Sequence, residues 1–153
     1  METKLILVEG IPGSGKSTFA RRIHEYYTGR GTKSRLFNEG DYHPADLAWC
    51  AYIDLGKLAE ILAPFEGFRD EIDRNTHVEG DMAVITYTKV KTENYAFYQE
   101  MDKYELFDKR VAFKTFQETY LKRWGRFGQE AAKRDEINIF ECAFFQNHVT
   151  ELM

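Results

Sequence analysis

One short segment near the start of the chain constrains its fold more than any other. Residues Gly10-Ile11-Pro12-Gly13-Ser14-Gly15-Lys16-Ser17 match the phosphate-loop pattern G-x-x-x-x-G-K-[ST] at every fixed position. The apolar run Leu5-Ile6-Leu7-Val8 precedes the loop, and a helix is predicted over residues 16–28, ending near Gly29. A buried strand, a glycine-rich loop and a helix in this order predict an α/β fold built on a parallel sheet.

The same segment predicts phosphate binding. Its glycines permit backbone angles that turn N–H groups toward an anion, and the start of the following helix adds its positive dipole end. We expect Lys16 to reach the β- and γ-phosphates of a nucleoside triphosphate, in the first place ATP, and the Ser17 hydroxyl to bind Mg²⁺. The residues expected to contact the nucleotide are Gly10, Pro12, Gly13, Ser14, Gly15, Lys16, Ser17 and Thr18.

Two further core strands and a long helix are predicted along the chain. The strands are Ser34–Phe37 and residues 137–140, and a last helix is predicted to begin at Phe145. Apolar residues recur at steps of three and four in the long helix and would form one apolar face. They are Phe113, Phe116, Tyr120, Trp124, Phe127 and Ala131. Residues 42–110 are predicted to be a mostly helical insertion with one hairpin at 78–87, serving as a lid or acceptor-binding segment of a single domain, 1–153.

Composition argues against several other classes of protein. The formal net charge is −4 and the sequence pI is about 5.6, so a nucleic-acid partner is not expected. The only cysteines, Cys50 and Cys142, have no zinc-site or disulfide spacing and are interpreted as buried reduced thiols. No apolar run has the length of a signal peptide or a membrane span, so we expect a cytoplasmic protein without a membrane partner.

Acidic residues follow each predicted core strand, where an open parallel sheet binds its ligands. They are Glu9, Glu39, Asp41 and Glu141. Glu141 occupies the position of a Walker B carboxylate, where it would bind Mg²⁺ or orient the acceptor. The alternative for Glu141 is that it caps the helix that follows. An acid at the end of a buried strand is costly without a partner, which favours the functional interpretation.

Two other charged residues are candidates for the acceptor side. Asp41 could accept a hydroxyl proton, although Glu39-Gly40-Asp41 is also a turn sequence. Arg123, on the long helix, could stabilise the transferring phosphoryl group, although most arginines lie on solvated surface. His43, which precedes Pro44, is expected to be exposed in a loop, and the alternative is that it contacts the substrate.

The segment from Glu9 to Thr18 resembles the P-loop kinase group that includes thymidylate kinase and other nucleotide kinases. Two further groups of residues resemble a set of bacterial P-loop proteins described as P-loop NTPases or kinases: Glu39-Gly40-Asp41 with His43-Pro44-Ala45-Asp46, and Phe140-Glu141-Cys142 with Gln146-Asn147. The resemblance implies a P-loop NTPase fold whose three core strands take the order 2-3-1. The further strands, the arginine-bearing lid and the adenine-holding loop of nucleotide kinases have no counterpart in the sequence. We therefore expect a chain shortened at its C-terminus, with strand one on an edge open to self-association.

Two functions from different classes follow. The first is a kinase that transfers the γ-phosphate of Mg-ATP to a nucleotide or hydroxyl compound, with Lys16, Asp41, Glu141 and Arg123 as catalytic candidates. The second is a non-catalytic nucleotide-binding or interaction module. A switch GTPase is not favoured, because the guanine-reading N-K-x-D sequence is absent.

Overall fold

A computed structural model describes residues 4–107, 110–145 and 148–149. Its strands are β1 Leu5–Val8, β2 Ser34–Phe37, β3 Ala51–Asp54, β4 Thr76–Glu79, β5 Met82–Ile85 and β6 Ile137–Glu141. Its α-helices are α1 Lys16–Thr28, α2 Leu55–Leu62, α3 Arg69–Arg74, α4 Tyr95–Asp102 and α5 Phe113–Ala132, with 3-10 turns at Ala63–Phe68 and Tyr87–Lys89. The predicted Gln146-Asn147 motif and residues 150–153 of the predicted last helix lie outside the described residues. No helix among the described residues is both long and apolar enough to cross a membrane.

The chain divides into two compact units. Unit 1 comprises Met1–Glu39, His43–Asp46 and Phe113–Met153. Unit 2 comprises Gly40–Tyr42 and Leu47–Ala112. The boundaries differ from the predicted insertion at 42–110, because residues 43–46 belong to unit 1 and residues 40–41 and 111–112 belong to unit 2.

Unit 1 contains a three-stranded parallel sheet with β6 in the middle. The order is β1-β6-β2, with Val8 opposite Glu141 and Phe37 opposite Phe140. The strand order expected from the sequence was 2-3-1. The observed order is not 2-3-1, because β3, β4 and β5 come between β2 and β6 in the chain and the middle strand is therefore the sixth. The α/β class with a parallel sheet and flanking helices is confirmed.

Burial on both faces explains why β6 is an apolar run. On one face Ile139 packs with Val8 and with Ala20 of α1. On the other face Phe140 packs with Phe37, Ala45, Ala143 and Phe127 of α5. Ile139 and Phe140 are both fully buried, and truncating such a phenylalanine to alanine typically costs about 3–5 kcal/mol.

Strand β1 lies at the edge of this sheet. In the part of the chain that the structure describes, β1 pairs with β6 and with no second strand. Leu7 is 36% exposed, unlike Val8, which is buried. An apolar edge of this kind invites pairing with another strand, and the predicted self-association stays a prediction.

A buried polar cluster fixes the turn at residues 43–46 within unit 1. The Arg123 guanidinium donates to the carbonyl oxygens of His43, at 2.5 Å, and Asp46, at 3.2 Å. The Tyr120 hydroxyl donates to the Asp46 carboxylate at 2.8 Å. His43 Nδ1 accepts from the amide nitrogens of Ala45 and Asp46, at 3.1 and 2.8 Å. The chain therefore holds this turn to α5 by hydrogen bonds rather than by apolar packing alone.

Unit 2 is built on an antiparallel sheet of its own, in the order β3-β5-β4. The predicted hairpin is present as β4 and β5, with Gly80 in the left-handed region at φ 63°. Strand β3 was not predicted, because four residues between short loops carry little periodicity. Its residue Ala51 packs in a core with Ile85, Phe97 and Met101.

Two glycines of unit 1 allow a paired test of the loop that precedes α1. Gly15 is the N-cap of α1 at φ 87°, whereas Gly128 lies inside α5, and a Cβ on either residue would meet no atom within 4 Å. Gly15→Ala should therefore lower the free energy of unfolding by about 1 kcal/mol through backbone strain alone. Gly128→Ala should raise it by about 1 kcal/mol. Urea unfolding measures both, and the same sign in the two variants would contradict the strained loop.

His43 gives a pH-dependent prediction. Burial, with a smaller contribution from Arg123, lowers the pKa of His43 from 6.5 to about 3. Between these values the unfolded chain binds the proton and the folded chain does not, so stability falls as the pH is lowered. His43→Asn keeps an acceptor near the position of Nδ1 but does not titrate. Between pH 7 and 5 the wild type should lose about 2 kcal/mol more unfolding free energy than the variant, and parallel pH curves would contradict the buried neutral histidine.

Candidate functional site

The predicted phosphate loop joins β1 to α1 and is open to solvent. Gly13 and Gly15 have φ angles of 77° and 87°, which L side chains rarely adopt. The amide of Ser14 donates to the carbonyl oxygen of Ile11 at 3.2 Å and closes a tight turn. A Cβ on Gly10 would lie 3.0 Å from Ser14 Oγ. Backbone angles therefore require Gly13 and Gly15, whereas a Cβ on Gly10 would need the Ser14 hydroxyl to shift.

The start of α1 is electrostatically suited to an anion. Its N-cap is Gly15, which has no side chain to accept from the first amides, and its first turn holds no acidic residue. A helix of 13 residues adds partial positive charge at this end. The predicted contacts Ser17 and Thr18 lie in this first turn and are exposed. An anion here would meet free amide donors and a favourable dipole.

The Lys16 side chain folds back over the loop. Its ammonium donates to the Ile11 carbonyl oxygen at 3.0 Å and also interacts with the Cys142 thiol. Both partners are weak compared with a phosphate oxygen, which would form a charge-assisted hydrogen bond with the ammonium. The Lys16 ammonium therefore already lies at the loop that the sequence predicts to bind phosphate.

The structure brings together the two residues predicted to bind the metal. Glu141 ends β6 and is 4% exposed, and its Oε1 accepts from Ser17 Oγ at 2.5 Å. The contact forms because β6 lies beside β1, so that its end meets the start of α1. Glu141 uses this oxygen on α1, not on a helix that follows β6, which weighs against the capping alternative. Oxygens of both kinds are ligands that Mg²⁺ prefers.

Two further donor groups lie beside Glu141. One carboxylate oxygen of Glu39, one of Glu141 and the Cys142 sulfur all lie within 4.8 Å of one another. Glu39 is exposed and follows β2, whereas Glu141 and Cys142 are buried at the end of β6. The parallel pairing of β2 with β6 accounts for this proximity.

Sequence reasoning missed Cys142 as a member of the site. Its φ of 56° turns the chain at the end of β6, and its amide donates to the Val8 carbonyl oxygen at 3.1 Å. Burial, and secondarily the negative charge of Glu39, raise the pKa of the thiol from 9 to about 11, so that it is protonated at neutral pH. Its place directly after the strand-ending Glu141 was the available signal.

Glu9 has a structural contact at the same edge of the sheet. Its Oε1 accepts from the amide of Phe144 at 2.9 Å. Together with the bond from Cys142 to Val8, this contact holds the segment after β6 against the end of β1. Glu9 therefore positions the segment that carries Cys142.

The structure places Asp41 in unit 2. Its carboxylate pairs with the Lys89 ammonium at 2.8 Å, and both side chains are nearly half exposed. The preceding Gly40 has a φ of 79°, which a tight turn requires. These observations favour the turn interpretation of Glu39-Gly40-Asp41, and the role of Asp41 as a base stays a prediction.

Arg123 and His43 lie in different surroundings from those expected. Arg123 is 2% exposed, with hydrogen bonds to the two backbone carbonyls of the 43–46 turn. This placement favours a structural role over stabilisation of a phosphoryl group.

The expectation that His43 is exposed was wrong, since it is 5% exposed and packs edge to face against Phe37 and Phe140. Its neighbour Pro44 indicated a loop but gave no sign that the loop packs inward.

Comparison of the chain with protein-family models, with curated proteins and with solved structures found no match. The chain's own residues therefore carry the functional interpretation. They are a glycine loop before a helix, an ammonium over that loop, and a hydroxyl and a buried carboxylate in contact at its end.

Proposed function

We propose that this chain binds a nucleoside triphosphate, ATP in the first place, with Mg²⁺, and that it transfers the γ-phosphate to a small-molecule acceptor. The observation that carries the proposal is the 2.5 Å contact of Ser17 with the buried Glu141, next to a loop whose glycines have left-handed angles. A glycine-rich turn without a phosphate role would not need a hydroxyl and a carboxylate together at its end.

In this proposal each residue has a separate task. The amides of Gly13 and of residues 15–17 donate to phosphate oxygens at the start of α1, while the amide of Ser14 closes the turn onto Ile11. Lys16 moves from the Ile11 carbonyl to the β- and γ-phosphates, where it stabilises negative charge. The Ser17 hydroxyl and the Glu141 carboxylate would hold Mg²⁺, which neutralises charge on the transferring group when bound.

The acceptor side rests on fewer residues. Glu141 lies at the proposed metal position and could also orient an acceptor hydroxyl. Asp41 and Arg123 already have partners of their own, a lysine and two backbone carbonyls respectively. These contacts are also compatible with a non-catalytic nucleotide-binding module. A measurement of turnover distinguishes that module from a kinase.

Lys16→Ala should weaken binding of Mg-ATP by at least about tenfold, because charged hydrogen bonds contribute about 1.5–3 kcal/mol. Isothermal titration calorimetry measures the affinities. The matched control is Lys114→Ala on α5, whose side chain is 83% exposed and pairs at 3.8 Å with Glu118. The control should bind like the wild type.

Equal affinities of the wild type and Lys16→Ala would contradict the phosphate site. ADP release in the presence of mixed nucleotide and polyol acceptors then decides between the two functions. A kinase releases ADP in a Lys16-dependent manner. Tight binding of ATP without ADP release would favour the binding module.

Glu141→Gln should reduce the effect of Mg²⁺ on ATP binding. The amide keeps the shape and an acceptor for Ser17 but removes the charge that attracts the cation. The ratio of affinities with Mg²⁺ and with EDTA should fall about tenfold, while the affinity in EDTA stays equal or rises. Glu118→Gln, on the exposed surface of α5, should leave the ratio unchanged.

A structural role of Glu141 predicts a different pattern. The melting temperature would then fall, and the folded fraction would keep the full effect of Mg²⁺. Thermal unfolding without nucleotide, measured beside the calorimetry, therefore separates the two roles.

A further inference from the structure

We propose that Glu39, Glu141 and Cys142 form a binding site for a thiophilic divalent cation such as Zn²⁺, with the Cys142 sulfur as a ligand. The inference goes beyond the proposed function, since it requires no nucleotide. It concerns which metals this edge of the sheet accepts.

The distances are compatible with one shared ion. The three donor atoms lie within 4.8 Å of one another. Ligands of a tetrahedral ion at about 2.0–2.3 Å stand roughly 3.3–3.8 Å apart, so the donors need to close by at most about 1.5 Å. Glu39 is exposed, and its side chain can make this adjustment without disturbing packing.

Further donors are close enough to complete the coordination. Ser17 Oγ lies 2.5 Å from Glu141 Oε1 and offers a fourth oxygen, and solvent can reach the exposed side where Glu39 lies. Two carboxylates so near one another repel when both are charged, and one of them, Glu141, is buried. A cation between them removes the repulsion and provides the partner that a buried charge requires.

The sulfur points to a thiophilic ion in particular. Mg²⁺ prefers oxygen ligands, so a site for Mg²⁺ alone gains nothing from Cys142. Zn²⁺ and Cd²⁺ bind thiolate strongly. On binding, the metal–sulfur bond replaces the S–H bond, and one proton is released to solvent. The Lys16 ammonium, which interacts with the thiol here, moves away from the sulfur.

Titration of the full chain with Cd²⁺, without nucleotide or Mg²⁺, tests the site. The wild type should show one-to-one binding, an ultraviolet thiolate-to-metal charge-transfer band, and release of one proton per ion. Cys142→Ser should lose the band and at least about tenfold in affinity, comparable to the smallest losses from disturbing a metal site. Cys50→Ser, which removes the other buried thiol, should keep both.

A second variant keeps the test decisive if Cys142→Ser does not fold. Glu39→Gln changes an exposed residue and should keep the band but weaken binding. The proposal is overturned if folded wild type gives no saturable band, or if the band disappears in Cys50→Ser and persists in Cys142→Ser. Because no nucleotide is present, these outcomes are independent of ATP affinity, so failure of this site and failure of the proposed function can be told apart.

Discussion

The parallel pairing of β6 with both β1 and β2 is the constraint from which the candidate site follows. Parallel strands end at the same edge, so the glycine loop after β1, Glu39 after β2 and Glu141 at the end of β6 come together without any long loop. The pairing depends in turn on burial of both faces of β6, by Ile139 toward α1 and Phe140 toward α5. Because α1 packs on the first face, its Ser17 reaches Glu141. Loss of either core would displace the carboxylate from the hydroxyl.

Positive and negative groups lie close together at this edge of the sheet. Lys16 and the start of α1 supply positive potential, and Glu39 and Glu141 supply negative charge. A triphosphate alone would satisfy the first group and be repelled by the second. A divalent cation reverses that repulsion, because it is attracted by the carboxylates and by phosphate oxygens alike. Under the proposed function, nucleotide and metal would therefore bind as coupled events, in which each raises the affinity for the other.

Local features of the sequence predicted the parts of the fold that depend on local physics. The glycine loop, β1, β2 and β6 each follow from a short local pattern. The predicted apolar face of α5 is correct only in part, because Phe116, Tyr120 and Phe127 are buried whereas Phe113 is 50% exposed. What could not be predicted depends on contacts between distant residues. Cys142 joins the site only because β6 pairs with β2, and Arg123 contacts His43 across 80 positions of the chain. No periodicity within either segment contains that information.

Contacts between distant residues also decide whether a charged residue has a chemical or a structural role, which the sequence alone does not show. A buried arginine is costly unless its hydrogen bonds are satisfied, and Arg123 has two backbone carbonyls that no side-chain substitution can remove. The 43–46 turn supplies those carbonyls, and His43 Nδ1 and Tyr120 hold the turn in the shape that presents them. The guanidinium therefore has backbone acceptors within unit 1. Glu141 differs, because it is buried and the donor that reaches it at 2.5 Å is the neutral hydroxyl of Ser17. A buried carboxylate beside a neutral donor is the physical reason to propose a cation at the end of β6 and not at the 43–46 turn.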